Sequence, residues 1–469
     1  MPNTKNLLSI VRLKKYFPLG KTSPFGKIRY LRANESVSLD VKQGETFSIV
    51  GESGCGKSTL GKTILGLYRP DGGAVYYYGR TVDELVPRYV FDVLKRAETY
   101  RAAYQSDPSS ERLFQEAKFL SAVKLLGGLL CASDAHFQEG IACLKNRFLS
   151  LAALQKSGEN TEKRRLATAR VNEAETRLAQ IAKTYEKEDR FVALEAKKDV
   201  GIDLTLLTKN ELRQLRKDLQ VIFQDPYSSL NPRMTVGQII EEGVATHGYF
   251  KRGTPQMREY VLEIMKKCGL QEHMLHRYPH QFSGGQRQRI CIARALAVKP
   301  RFVVCDECVS ALDASIQSQI LNLLTELKER EGLTYLFISH DLSVVRHVSD
   351  RVAVMYLGEV SEQGKTEDIF DDPRHPYTIS LLSAAPTLDF SKKQEKIIPQ
   401  GHMPSPVSPP SGCKYHTRCF MAQECCRQIP APVVEVKKGH FVACHFAQKT
   451  AEEKRAFAKT KATLSPPAL

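Results

Sequence analysis

The sequence has no tryptophan. It also has no apolar run approaching the roughly 20 residues a membrane helix needs. Its best stretch, "FLSAVKLLGGLLCA" from Phe119 to Ala132, is too short and is interrupted by Lys124. The opening "MPNTKNLLSIVRLKKYF" lacks both a long apolar segment and a small-residue cleavage site, so a secretory signal is not expected. Glycine and proline are scarce from about Thr81 to Asp199, which disfavours turns and strands there. Together these absences give the expectation of a soluble, cytosolic protein. In that setting the 12 cysteines should be reduced thiols or metal ligands rather than a disulfide framework.

What is present begins with length and charge. The 469 residues allow about two to four domains and a large core. A formal charge of +16 suits either a solvated basic surface or anionic partners such as nucleotides, nucleic acid or membrane headgroups. "ESVSLDVKQGETFSIV" (35–50) alternates and then turns apolar, which predicts two strands joined at Gln43-Gly44. "GGAVYYYG" predicts another strand. Within 81–200, Val171, Ala174, Leu178, Ile181, Tyr185 and Val192 repeat at helical spacing, as in one half of a helical hairpin. From Gly201, helices alternate with the buried strands "DLQVIFQ", "PRFVVCDE" and "LTYLFISH", the pattern of a largely parallel α/β sheet. After about Pro386 the chain is proline-rich, then thiol-rich, and its last 20 or so residues read as a frayed Lys/Ala tail.

The sharpest motif is "GESGCGKST": Gly51, Glu52, Ser53, Gly54, Cys55, Gly56, Lys57, Ser58 and Thr59. It fits the phosphate-loop pattern and lies between a predicted strand and a predicted helix. Backbone N–H groups there can converge on a triphosphate, Lys57 can reach the β- and γ-phosphates, and Ser58 can ligate Mg²⁺. "RFVVCDE" ends a buried strand in two carboxylates. Asp306 is placed to hold Mg²⁺, and Glu307 to polarise the attacking water. Ser283, Gly284, Gly285 and Gln286 form a second anion-receptive turn before a helix. One nucleotide needs only one such turn, so the second suggests service to a nucleotide held by a partner ATPase.

In this order the motifs resemble the nucleotide-binding subunits of ABC transporters: phosphate loop, "VIFQDP" with Gln224, "FSGGQ", "VVCDE", "SALD" (Ser310–Asp313) and "ISHD" with His340. The resemblance implies that Gln224 senses the metal, His340 contacts the γ-phosphate, Asp313 acts across the dimer, and Phe17 (or neighbouring Tyr16) stacks on adenine. "QDPYSSLNPRMTVGQII", "CDECVSALDASIQSQILNLL" and "HPYTISLLSAAP" look like the F-type ATPase subunits of dipeptide and oligopeptide importers. The resemblance covers residues 1–80 and about 200–446.

It implies an α/β fold: a P-loop ABC ATPase core with a mainly parallel sheet, an antiparallel β subdomain and a helical subdomain. The core would occupy 1–80 and 201–385, with the helical subdomain at about 225–300. A largely helical insertion takes 81–200, a small Cys-rich region 386–448 and a flexible tail 449–469. The insertion is either a surface elaboration or a docking arm for another subunit or regulator. Phe282 stands where the family usually has leucine, and Cys308 where it usually has proline.

Cys413, Cys419, Cys426 and Cys444 are spaced C-x5-C-x6-C-x17-C, and close thiols in a reducing compartment suggest a metal. The C-x2-C pairing of zinc ribbons is absent from this segment. The family resemblance implies a [4Fe–4S] cluster on these four, with Cys425 spare. Zinc is the alternative, with His416 and His445 as possible ligands. Cys55, Cys131, Cys143, Cys268, Cys291 and Cys305 are expected to be packing residues.

The resemblance thus implies an ATPase using ATP and Mg²⁺ to power peptide uptake. Its partners would be a homologous ATPase in a heterodimer, two integral permease subunits and an extracellular peptide-binding protein. It would sit on the cytoplasmic face of the membrane and bind no nucleic acid. The rival reading is a soluble ABC-type ATPase of DNA repair or chromosome maintenance, which would suit the +16 charge.

Overall fold

The computed structural model of the chain describes residues 5–21, 27–107, 116–157, 160–384, 397, 399 and 401–464. The chain divides into two compact units. The first comprises Met1–Lys5, Lys14–Arg69 and Gln214–Leu469; the second comprises Asn6–Leu13 and Pro70–Arg213. Strand β1 (Asn6–Lys21) contributes residues to both.

The first unit is organised on an eight-stranded sheet. Its strands are β3 (Thr46–Val50), β6 (Leu219–Ile222), β7 (Phe302–Asp306), β8 (Thr334–Ile338), β9 (Arg351–Tyr356), β10 (Glu359–Lys365), β11 (Val433–Lys437) and β12 (His440–Ala443), in the order β11-β12-β10-β9-β3-β8-β7-β6. The run from β9 through β3, β8 and β7 to β6 is parallel, while β10, β12 and β11 add antiparallel. All five residues of β3, β7 and β8 are buried. Strands covered on both faces read as continuous apolar runs, which is why "FVVCD" and "TYLFI" stand out in the sequence. Strand β2 (Ile28–Lys42) leads into β3 through the turn at Gln43-Gly44, as expected.

A helical subdomain hangs on three amphipathic helices, Val236–Thr246, Pro255–Lys267 and Gly284–Leu296. Val236, Ile240 and Val244 recur every four residues and are fully buried, as are Met257 and Val261. Each such side chain contributes at most about 1.5–3 kcal/mol of burial. The starts are fixed by capping boxes at Thr235 and Ser283, and by Thr254 followed by Pro255.

The C-terminal strands β11 and β12 extend the eight-stranded sheet. The tail, expected to fray, forms a helix over Ala451–Leu464 in which Ala451 and Lys454 are buried.

In the second unit, β4 (Gly72–Thr81) lies between β1 and β5 (Gly201–Asp203). Most of the rest is helical. Asp134–Lys156 and Thr161–Thr184 pack on each other as a hairpin. Val171, Ala174, Ile181 and Tyr185 form the buried seam, but Val192 is 45% exposed because its own helix, Asp189–Glu195, buries Phe191 and Leu194 instead. The ion pairs of Arg147 with Asp83 and Glu175 brace this unit.

Candidate active site

The phosphate loop follows β3, and its glycines are required by shape. A Cβ on Gly51 (φ 150°) would lie 2.1 Å from the Met355 carbonyl oxygen, and one on Gly56 (φ 102°) 2.0 Å from that of Ala33. Gly56 caps the helix Lys57–Ile64, so the loop's N–H groups and the helix N-terminus share one concavity. Lys57 is buried and donates from Nζ to the carbonyls of Gly51 (2.8 Å) and Glu52 (3.1 Å), which parks its ammonium inside the loop. Ser53 and Gly54 are exposed, while Cys55 is buried and its thiol pushed up by burial. Asn34, fully buried, donates to the Gly56 carbonyl at 3.1 Å.

Asp306 ends β7, and Ser58 Oγ donates to its Oδ1 at 2.6 Å. Burial raises the Asp306 carboxyl above the usual range, and the Ser58 hydrogen bond works against that. A hydroxyl beside a buried carboxylate is a hard oxygen donor pair, and it fits Mg²⁺. Glu307 adopts φ 49°, a conformation a non-glycine residue holds only when its surroundings impose it. Its N–H donates to the Ile338 carbonyl at 2.9 Å, and the Ser310 N–H and Oγ donate to its own carbonyl at 3.2 and 2.9 Å. The turn is thus held without the family's usual proline, with Cys308 buried beneath it.

Two further motif residues meet this carboxylate. Gln224 donates from Nε2 to Glu307 Oε2 at 3.0 Å, and His340 Nδ1 lies 3.3 Å from the same oxygen. Asp306, Glu307, Gln224, His340 and Ser58 therefore form one constellation, assembled at the ends of adjacent parallel strands. The remaining motif residues stand apart from these contacts. Ser283 caps the helix Gly284–Leu296 by accepting from the Gln286 N–H, and the Gln286 side chain returns a bond to the Ser283 N–H. Gly285 is needed because a Cβ there would lie 2.3 Å from Ile316 Cγ2. Phe282 is buried, with the Arg277 guanidinium 5.2 Å over its ring. Asp313 caps the helix Ala314–Glu331. Phe17 is half-buried, edge-on to Tyr68 at 5.3 Å, and neighbouring Tyr16 donates to Glu35.

The four expected thiols, Cys413, Cys419, Cys426 and Cys444, line a single cavity with His416, His445, Tyr415 and Met421, and Cys425 is not among its lining residues. Burial pushes the Cys413 thiol up to about 11 and that of Cys419 to about 12, and their neighbouring thiols add to the effect. Among the described residues no group of three or more His, Cys, Asp or Glu could hold a metal ion. This placement supports neither the expected iron–sulfur cluster nor zinc on its own. It shows four thiols lining one cavity. Of the other cysteines, Cys55, Cys268, Cys291, Cys305 and Cys308 are buried, whereas Cys131 and Cys143 are only partly so.

Sequence motifs missed two participants. Arg418 and Tyr377 both reach Glu52 of the phosphate loop. Tyr377 lies inside the quoted "HPYTISLLSAAP" and Arg418 inside the cysteine segment, but neither pattern points to the phosphate loop.

A glycine-rich loop after β3, a carboxylate pair after β7 and a capped serine turn on a helical subdomain define an ATPase of the ATP-binding-cassette class. The family model for the ABC transporter matches residues 34–198 and 191–310, and that for the C-terminal region of the oligopeptide/dipeptide transporter matches 361–426. The oligopeptide transport ATP-binding protein AppF of Bacillus subtilis (strain 168) is 35% identical over 446 residues, covering 94% of this chain and 98% of AppF. The dipeptide transport ATP-binding protein DppF of Haemophilus influenzae is 34% identical over 438 residues, covering 93% and 96%. A solved cassette dimer, MJ0796 bound to ADP and Pi, aligns with 76% of this chain and 98% of its own at 21% identity and TM-score 0.46. The chain belongs to the ABC transporter ATPases, in the group that carries the oligopeptide/dipeptide transporter C-terminal region. The relatives are transport proteins, which favours the transport reading over DNA repair. Among the described residues no helix is long and apolar enough to cross a membrane.

Proposed function

We propose that this chain is the ATP-hydrolysing subunit that drives uptake of oligopeptides or dipeptides through a membrane importer. The observation that carries the reading is the meeting of Gln224 and His340 on Glu307, beside the Ser58–Asp306 pair. The phosphate loop binds the triphosphate through its backbone N–H groups, and Lys57 leaves its two loop carbonyls to meet the β- and γ-phosphates. Mg²⁺, when bound, neutralises developing phosphate charge, and Ser58, Asp306 and Gln224 are the residues that would hold it. Glu307 polarises the water that attacks the γ-phosphorus, and His340 steadies that carboxylate and the transferred group. Phe17 offers its ring to the adenine.

The capped turn at Ser283, Gly284, Gly285 and Gln286, with Asp313, would complete the nucleotide site of a homologous partner ATPase. The wider assembly would add two integral permease subunits and an extracellular peptide-binding protein, with this chain on the cytoplasmic face. Cys413, Cys419, Cys426 and Cys444 would hold a [4Fe–4S] cluster, with zinc as the alternative. Iron, labile-sulfide and zinc analysis of anaerobically purified chain separates the two. The insertion at 81–200 fits a surface elaboration. Its deletion should leave assembly and transport intact, and loss of either would make it a docking arm instead.

The reading is tested by purifying the tagged chain with its membrane partners and measuring ATP hydrolysis with and without peptide and binding protein. Co-purified permeases and peptide-stimulated hydrolysis are expected. A chain that brings down no membrane protein would contradict it.

A further inference from the structure

The C-terminal region grips the phosphate loop at one residue, Glu52, from two directions. Arg418 Nη1 donates to both carboxylate oxygens of Glu52 at 2.9 Å, with the Arg418 side chain only 10% exposed. The Glu52 backbone N–H donates to the Tyr377 hydroxyl at 2.9 Å, and Tyr377 is fully buried. Tyr377 is itself wedged against Tyr356 and Tyr415, with ring centroids 4.8 and 5.3 Å away. Tyr356 ends β9, Tyr377 starts the helix Pro376–Ala384, and Tyr415 and Arg418 lie between Cys413 and Cys419. No part of this clamp falls within the nucleotide motifs.

What the clamp fixes is chemically relevant. The Glu52 carbonyl is one of the two acceptors that hold Lys57, and the other belongs to Gly51 next door. Anchoring Glu52 through both backbone and side chain sets where these carbonyls sit, and so where the Lys57 ammonium waits and how the following N–H groups are aimed. A loop without the anchor must be ordered when nucleotide arrives, and that cost appears as weaker binding. Among the described residues the water-attack machinery at Glu307 shares no hydrogen bond or ion pair with the clamp, so the clamp acts first on binding.

We propose that Arg418 and Tyr377 are positioning residues for ATP binding, pre-forming the phosphate loop through Glu52. The inference rests on the phosphate-loop reading given above. It is tested on the purified full-length chain with ATP and Mg²⁺, by titration for Kd. Hydrolysis by the assembled complex then supplies the split between KM and kcat. Arg418→Gln and Glu52→Gln are each expected to raise Kd about tenfold, and Tyr377→Phe less. The double variant should be no worse than either single, because both remove one interaction. For Arg418→Gln, KM should rise in parallel, with kcat kept within about twofold. The double variant carries the test even where an unpaired Glu52 or Arg418 impairs folding of a single.

An Arg418→Gln chain whose Kd stays within about twofold of the parent would overturn the proposal, as would losses that multiply in the double variant. Lys57→Ala is the control. If it too binds ATP normally, the phosphate-loop reading fails; if it loses binding while the clamp variants do not, only the clamp fails.

Discussion

At the phosphate loop the chemistry-bearing side chains are bonded to one another, whereas in the same compact unit four thiols line a cavity among histidine, aromatic and apolar side chains. Ser58 meets Asp306, and Gln224 and His340 meet Glu307, at the ends of β7 and its neighbours. Cys413, Cys419, Cys426 and Cys444 instead come from a coil, a short helix and the residue after β12, and burial pushes their thiols up. The polar end is organised before any ligand arrives. The thiol end brings four thiols to one cavity. The first is where function is expected to break, and the second where turnover should change little.

Glu307→Gln is the largest break. Removing the general base should lower ATP turnover by about 10²–10⁴-fold while ATP still binds, as read by hydrolysis assays beside equilibrium binding. Ser58→Ala comes next. With one oxygen donor gone, the Mg²⁺ concentration for half-maximal hydrolysis should rise about tenfold, and an unchanged Mg²⁺ dependence would remove Ser58 from the metal site. Cys413→Ser should sharpen the contrast from the other side. Any metal held by the four thiols, as proposed, should fall to background in elemental analysis, while hydrolysis stays within about threefold of the parent. A hydrolysis loss as deep as that of Glu307→Gln would erase the distinction between the two ends.

The smallest effect lies where the cysteine segment approaches β10. Glu359 is pushed up to about 7 by burial, with Glu35 adding to the shift and Lys414 opposing it. The folded state therefore favours the protonated carboxyl. Its contribution to stability is full below about pH 4.5, the ordinary glutamate value, and is lost as pH rises through about 7. Glu359→Gln should melt above the parent at pH 8, with the difference shrinking towards pH 5. Equal differences at both pH values would contradict the assignment.

The polar end was legible because its residues sit on short, regular elements. A loop between strand and helix, or a carboxylate pair ending an apolar strand, has its geometry fixed by the fold. The serine turn was legible as a capping box. Three things were not. The Arg418–Glu52 pair joins residues 366 positions apart, and nothing in local pattern reports such a contact. The extension of the sheet by β11 and β12 was hidden because "VVEVK" and "HFVA" are short and only partly buried, with β11 at the sheet edge. The apolar residues of the helix over Ala451–Leu464 are mostly alanine, and burial of Ala451 and Lys454 reflects tertiary context that composition does not reveal. For the cysteines, sequence selected the four residues that share a cavity, but the identity of a bound group is not a property of spacing.

The most direct measurement is uptake of a labelled oligopeptide into proteoliposomes holding the complete complex, with ATP and Mg²⁺ on the face that carries this chain. Accumulation that requires ATP and vanishes with Glu307→Gln is the predicted result. Accumulation unaffected by Glu307→Gln, or no peptide movement by an actively hydrolysing complex, would contradict the account.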